Sequence, residues 1–137
     1  MKKLLINKRA EGYIDTVVLV VAAMMVIVIA LNIFNFLTLK QDMEYFAKEL
    51  IDTATVYGQT DKEVAQRYQE LCMEMGILPT MDFSGTQYHN NAASTVQLGD
   101  TIRLTLDLQT NVKGLGVFQI PVTLTVTHSG LSQRYWK

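Results

Sequence analysis

Between Asp15 and Lys40 the chain carries 24 consecutive residues without a charge, Thr16 to Leu39. As an α-helix rising 1.5 Å per residue, this run is about 36 Å long. The hydrocarbon core of a bilayer is about 30 Å thick. The run is apolar all round and not along one stripe, the pattern of a helix with lipid or other helices on every side. Its β-branched residues, among them Val17, Val18, Val20, Val21, Val26, Ile27, Val28 and Ile29, would favour strand in water. In lipid a lone strand leaves its backbone unpaired, so helix is the expected state. A buried helix of a soluble domain is the alternative, and such helices rarely need this length.

This run leaves residues 40–137 for everything else, which is one small domain with a modest core. The net charge of −1 is too balanced to suggest a nucleic-acid partner. A single cysteine, Cys72, excludes an intrachain disulfide and a Cys-rich metal site. Charge is unevenly placed. Lys2, Lys3, Lys8 and Arg9 precede the run against Glu11 and Asp15, while eight basic and eleven acidic residues follow it. Basic residues close to a span stay in the cytoplasm, so the N-terminus is expected inside and residues 40–137 outside a cytoplasmic membrane.

Residues 1–10 read as a basic leader. A secretory signal would have a shorter apolar core with a small-x-small cleavage site after it. Here the leader ends before the apolar run, at Ala10-Glu11-Gly12-Tyr13-Ile14-Asp15. That arrangement resembles the processing site of type IV pilin-like proteins, particularly the small TadE-like pseudopilins. The resemblance implies a cut on the cytoplasmic side by a prepilin-type peptidase, normally after glycine, with glutamate fifth in the mature chain. A cut after Ala10 makes Asp15 fifth, with alanine in place of glycine and aspartate in place of glutamate. A cut after Gly12 supplies the glycine but leaves Val17 fifth and Asp15 third. The whole chain is also similar to a family of small, uncharacterised single-span proteins of Gram-positive bacteria, often encoded on mobile elements. Glu11-Gly12-Tyr13-Ile14-Asp15 and Ser132-Gln133-Arg134-Tyr135-Trp136-Lys137 carry that resemblance, which supports an architecture more than an activity.

Asp15 stands at the edge of the apolar run, where a carboxylate is costly unless paired. In pilin-like assemblies the matching acid meets the freed N-terminal amine of a neighbouring subunit. The plain alternative is a headgroup contact near Lys8 and Arg9. Asn32 and Asn35 are three apart, on adjacent parts of one helix face. They mark either a helix–helix contact through interhelical hydrogen bonds or the half-wet outer interface.

After Lys40 the pattern changes without a break. Met43, Phe46, Ala47, Leu50, Ile51 and Ala54 form an amphipathic stripe, with Asp42, Glu44, Lys48, Glu49 and Asp52 on the other faces. No Gly or Pro separates stripe from run, so one rod-like helix is expected from about Tyr13 to Tyr57, capped by Gly58. Thr60-Asp61-Lys62-Glu63 matches a capping box. Val64, Tyr68, Leu71, Cys72 and Met75 then give a second stripe, closed by Gly76. A tight turn at Gly58-Gln59 would fold the second helix back on the first. Cys72, on the buried stripe, reads as a small core hydrophobe.

The last third reads as β. A short strand is expected at Met81–Phe83. Ile102, Leu104, Leu106 and Leu108 alternate with Arg103, Thr105, Asp107 and Gln109, and Phe118, Ile120, Val122, Leu124 and Val126 alternate with polar residues and Pro121. Each is a period-two strand with one dry face. Asn111-Val112-Lys113-Gly114-Leu115-Gly116 is expected as a loose hairpin loop, Leu98-Gly99-Asp100 as a turn, and Leu131–Trp136 as a final short strand with Tyr135 and Trp136 packed on the domain. Pro121 places its strand at an edge or a bulge.

The expected fold is thus α+β: a long N-terminal transmembrane helix continuing into an amphipathic helix, a short second helix, and a C-terminal antiparallel sheet of three to four strands. The expected domains are a leader (1–10), the transmembrane and extended helix (11–58), and an extracytoplasmic α+β head (59–137). No catalytic set, cofactor site or metal site is expected, since His89 and His128 fit no ligand or triad spacing. The expected function is a non-enzymatic pilin-like subunit of a pilus, secretion or conjugative-transfer apparatus. Its processing residues would be Ala10, Glu11 and Gly12, and its assembly residues Asp15, Asn32 and Asn35. Its partners would be lipid and like subunits. The alternative is an uncleaved single-span accessory protein whose outer domain binds partners in a membrane complex.

Overall fold

The structure, a computed structural model, describes the backbone of residues 2–114 and 118–137 and the side chains of residues 12–112 and 119–137. The elements run α1 (Lys2–Tyr57), α2 (Lys62–Met75), β1 (Thr80–Asp82), β2 (Thr101–Gly114) and β3 (Phe118–Leu131). The fold is α+β, with one three-stranded antiparallel sheet of order β1-β2-β3. Two compact units are present: residues 1–37 with 112–120, and residues 38–111 with 121–137.

Helix α1 begins at Lys2, earlier than the expected Tyr13, because the leader holds no proline and consists largely of good helix formers. Tyr57 ends it as expected. Gly58 takes φ +63°, and its N–H donates to Ala54 O at 2.8 Å. Only glycine adopts that left-handed geometry without strain.

In the larger unit the stripe on α1 is the floor of the core. Met43, Phe46, Ala47, Leu50, Ile51 and Ala54 are all buried. Val64 and Leu71 of α2, and Ile102, Leu104, Leu106 and Val126 of the sheet, close over them. Each large side chain so buried contributes about 1.5–3 kcal/mol. Helix α2 packs against this part of α1: Phe46 and Tyr68 meet edge to face, 5.6 Å between ring centroids. The Arg67 guanidinium holds Glu49 of α1 at 3.1 Å. Gly76 ends α2 with φ +68° and an N–H bond to Cys72 O.

Strand β1 pairs with β2 in the register Thr80↔Asp107, Met81↔Leu106 and Asp82↔Thr105, one residue earlier than the expected strand. Across β2 and β3, Thr105 Oγ1 and Thr127 Oγ1 are 3.2 Å apart, and Thr125 Oγ1 donates to Asp107 Oδ1 at 2.5 Å. Strand β3 is the other edge of the sheet, the setting in which a strand proline such as Pro121 is tolerated.

Four expectations are corrected. The capping box does not form. Asp61 is the N-cap and makes no side-chain cap bond, the Thr60 hydroxyl pairs with Tyr88 Oη at 2.9 Å, and the Glu63 carboxylate accepts from Gln59 Nε2. One distant partner, Tyr88, and one local partner, Gln59, thus take both groups that the capping motif would use. Asn111–Gly114 belong to β2 and not to a loop, because a ladder already formed extends over turn-favouring residues; Leu115 and Gly116 lie outside the described residues. Among the described residues of the expected dry face of β3, only Leu124 and Val126 are buried, Val122 is half-buried and Ile120 is 61% exposed, while the Phe118 side chain lies outside the described residues. Finally, no strand forms after Leu131. Tyr135 is exposed, and only Trp136 of that pair packs.

Candidate functional site

The two stretches that sequence reasoning singled out, Ala10–Asp15 and Asn32/Asn35, both lie on α1. Gly12 to Asp15 follow one another in helical geometry, and the Thr16 hydroxyl donates to Gly12 O at 2.8 Å. The Ala10 and Glu11 side chains lie outside the described residues. Asp15 is exposed. Asn32 is half-buried and donates through Nδ2 to Val28 O, its own helix, at 2.9 Å. Asn35 is exposed one turn further on. An amide that bonds its own helix still has its carbonyl oxygen to offer. The structure therefore sets Asn32 and Asn35 on a common helix and joins neither to Asp15, which stands more than four turns away.

What unites these residues is their setting. Of the described side chains from Gly12 to Leu37, all are exposed except Val28, Asn32 and Phe36, which are half-buried. Val17, Val18, Leu19, Met24, Val26, Leu31 and Phe34 are each about 60% exposed or more. Helix α1 has the length and apolarity to cross a membrane, with mean hydropathy 3.0 in its most apolar window. Monomeric soluble proteins rarely expose apolar surface on this scale, which marks a site of contact with lipid or protein.

Sequence reasoning missed a second construction, at the end of α1. The Gly58 carbonyl accepts from Val96 N at 2.8 Å and from Trp136 Nε1 at 3.0 Å. Gln97 clamps the same tail residue from the other side: its Oε1 accepts from Trp136 N at 2.7 Å and its Nε2 donates to Trp136 O at 2.9 Å. Buried Ser132 donates through Oγ to Val96 O, and Gln133 N donates to Thr55 O, each at 2.9 Å. The Arg134 guanidinium lies 4.8 Å from the Trp136 ring centroid. The terminal segment 132–136 is thus a clasp that ties α1 to the segment 95–97. Its signal in the sequence was the Ser132–Lys137 motif, and no periodicity reveals which backbone carbonyl an indole will find.

Electrostatic features are few and structural. The Arg67 guanidinium is held above its ordinary value by its hydrogen bonds to Glu70 first and Glu49 second, with Glu74 adding attraction at 3.9 Å. Burial first, and then Cys72, pushes the Tyr68 phenol up; its hydroxyl donates to Pro79 O at 2.7 Å. Ser84, through its hydroxyl and its N–H, lowers the Asp82 carboxyl. Cys72 is a free, half-buried thiol packed against the core. His89 is exposed and His128 half-buried. Among the described residues no group of three or more His, Cys, Asp or Glu side chains converges on a metal-sized site.

No curated protein and no solved structure matches the chain. One family model does, a domain of unknown function, DUF4320, over residues 19–137. That span takes in the apolar run from Leu19, both helix stripes, the sheet and the Ser132–Lys137 clasp, and leaves Glu11–Asp15 outside it. Matched over most of its length, the chain belongs to the DUF4320 family.

Proposed function

We propose that the chain is a non-enzymatic, pilin-like subunit of the TadE-like kind, assembled through its N-terminal helix in the cytoplasmic membrane of a bacterial cell envelope. It would serve a pilus, secretion or conjugative-transfer apparatus, with residues 40–137 on the outer side. The observation that carries this reading is the near-complete exposure of an apolar helical surface from Gly12 to Leu37 on a helix that continues, without a break, into a fully used core stripe. Such a helix has one half made for lipid or like helices and one half committed to its own domain. The acid at Asp15 then finds its partner in the new amine of an adjacent Glu11 after a cut following Ala10. The basic leader supports the orientation.

The mass of the chain extracted from its native membrane tests the processing step. The reading expects a chain beginning at Glu11. A mass that includes Met1 or Lys2 would leave the uncleaved accessory protein as the better reading. One observation favours that second reading: α1 is helical from Lys2 through the Ala10–Gly12 junction. A peptidase would have to unwind a turn of hydrogen-bonded backbone to reach the bond.

A further inference from the structure

The hydrogen bonds of β2 fix which backbone groups of the sheet are left over. Arg103 N donates to Thr86 Oγ1, the same hydroxyl donates to Arg103 O, and Thr101 O accepts from Gln87 N. Odd-numbered residues of β2 thus turn their backbone groups toward the β1 side, and by alternation the even-numbered ones turn theirs toward β3. Thr105 stands opposite Thr127, Asp107 opposite Thr125, and Ser132 N donates to Asp100 O, so even-numbered residues of β3 answer them. The N–H and C=O groups of Thr123, Thr125, Thr127, Ser129 and Leu131 therefore point away from the sheet. All of these residues are exposed. Among the described residues, no hydrogen bond joins their backbone to a loop or a helix. Pro121 shares their parity and has no N–H, so the usable edge ends before it.

Proteins blunt an exposed edge with charges, bulges or very short strands, because a bare edge is a template for another chain. The edge at β1 is blunted, being three residues long and ending in Asp82. The edge at β3 is not, since residues 121–131 carry no Asp, Glu, Lys or Arg. Beside the last part of that edge runs a groove of about 560 Å³, with Ile51, Asp52 and Thr55 of α1 on one side and Ser129, Gly130 and Leu131 on the other. Asp52 is the one charged side chain that lines it. That carboxylate is exposed, and it takes part in none of the ion pairs among the described residues.

We propose that the outer edge of β3 takes an extended segment of a partner protein as a fourth strand, with a basic side chain of that segment set on Asp52. In such a contact main-chain hydrogen bonds supply the affinity, and alternate side chains supply the specificity. On one face the added side chains lie beside Thr123, Thr125, Thr127 and Ser129, where hydroxyl and β-branched residues pair well. On the other face they reach the groove. A second copy of β3 would fit the edge but brings no cation to Asp52, because residues 121–131 contain no Lys or Arg. This contact goes beyond assembly through the apolar half of α1, and neither requires the other.

The test uses the full chain in detergent micelles, with amide hydrogen exchange followed residue by residue. The probe is an acetylated and amidated peptide, Thr-Val-Thr-Lys-Thr-Val-Thr, in molar excess, beside the same peptide with Glu in place of Lys. Its Lys shares a face with the two Val residues, the face turned to the groove. The expected result with the Lys peptide is a severalfold slowing of exchange at Thr125, Thr127 and Ser129, with Leu124, Val126 and His128 unchanged because β2 already holds them. The Glu peptide should slow exchange less, and Asp52→Asn should remove the difference between the two peptides. No slowing at the odd-numbered amides overturns the proposal. Equal slowing by both peptides on the unaltered chain also overturns it, because the segment then needs no basic residue. Odd-numbered amides protected without peptide and released on dilution overturn it as well, because a second copy then holds the edge.

Discussion

The indole N–H of Trp136 donates to the carbonyl of Gly58 at 3.0 Å, joining the second-last residue of the chain to the residue that ends α1. That carbonyl also accepts from Val96 N. Helix end, edge segment and C-terminal tail meet there because Gly58 has no side chain. A Cβ at that position would stand 2.7 Å from Arg134 Cβ and 2.9 Å from Trp136 Nε1.

Gly58→Ala is therefore expected to cost about 1–2 kcal/mol for the left-handed backbone alone, and more because the tail must move. Trp136→Phe keeps most of the ring and loses the donor, so it should cost about 1 kcal/mol. Thermal unfolding of the detergent-solubilised chain measures both. If the two variants melt with the parent, the clasp contributes nothing.

Gly130 lies against α1 in the same way. A Cβ there would fall 2.6 Å from Thr55 Cγ2 and 2.9 Å from Ile51 Cγ2. Gly130→Ala should destabilise by about 1–3 kcal/mol, the range for overpacking. Thr55→Ser removes the nearer methyl and keeps the hydroxyl that donates to Asp52 O, so it should recover part of that loss. A double variant no more stable than Gly130→Ala would mean the clash is relieved elsewhere.

Phe46→Asp and Leu50→Asp each put a charge at a fully buried site. Each should cost several kcal/mol and detach the domain from the helix, read as new protease cleavage between residues 57 and 62. Parental melting in both would place the stripe in water.

Tyr68 gives a pH dependence with a definite sign. Its phenol is raised above the ordinary value of about 10 by burial first and Cys72 second. The folded state thus holds the proton more tightly than the unfolded state does. That stability is fully present below about pH 10 and is lost as pH rises through the folded value. Tyr68→Phe should abolish this share of the alkaline loss. At neutral pH it should cost about 1–3 kcal/mol, because the carbonyl of buried Pro79 loses its donor. Denaturant unfolding of both chains from pH 8 to pH 11 checks it; identical slopes against pH would contradict it.

Periodicity made much of this fold legible. The Met43–Ala54 stripe, the Val64–Met75 stripe and the alternation of Ile102 to Leu108 each name a buried face that the structure uses. Gly58 and Gly76 were legible as helix ends, since both take positive φ. What stayed hidden was long-range and polar. Thr60 matched a local cap yet bonds Tyr88, 28 residues away. Gln97 and Trp136 are 39 residues apart and carry no pattern that pairs them. Ile120 shares the strand parity of buried Leu124 and Val126 and is nonetheless 61% exposed, so alternation named the face and not how far along the strand it is covered. The site residues were legible as positions on one apolar helix. Their chemistry was not, because a position on a helix does not say what a side chain meets.

Crosslinking in native membranes, compared between the unaltered chain and Asp15→Ala, tests assembly through the N-terminal helix most directly. The chain should form a ladder of covalent oligomers. Asp15→Ala should insert and fold as before yet lose most of that ladder, because the helix bundle then lacks the carboxylate that meets a neighbour's amine. A chain that crosslinks only as a monomer, or a ladder unaltered by Asp15→Ala, would contradict the pilin-like assembly.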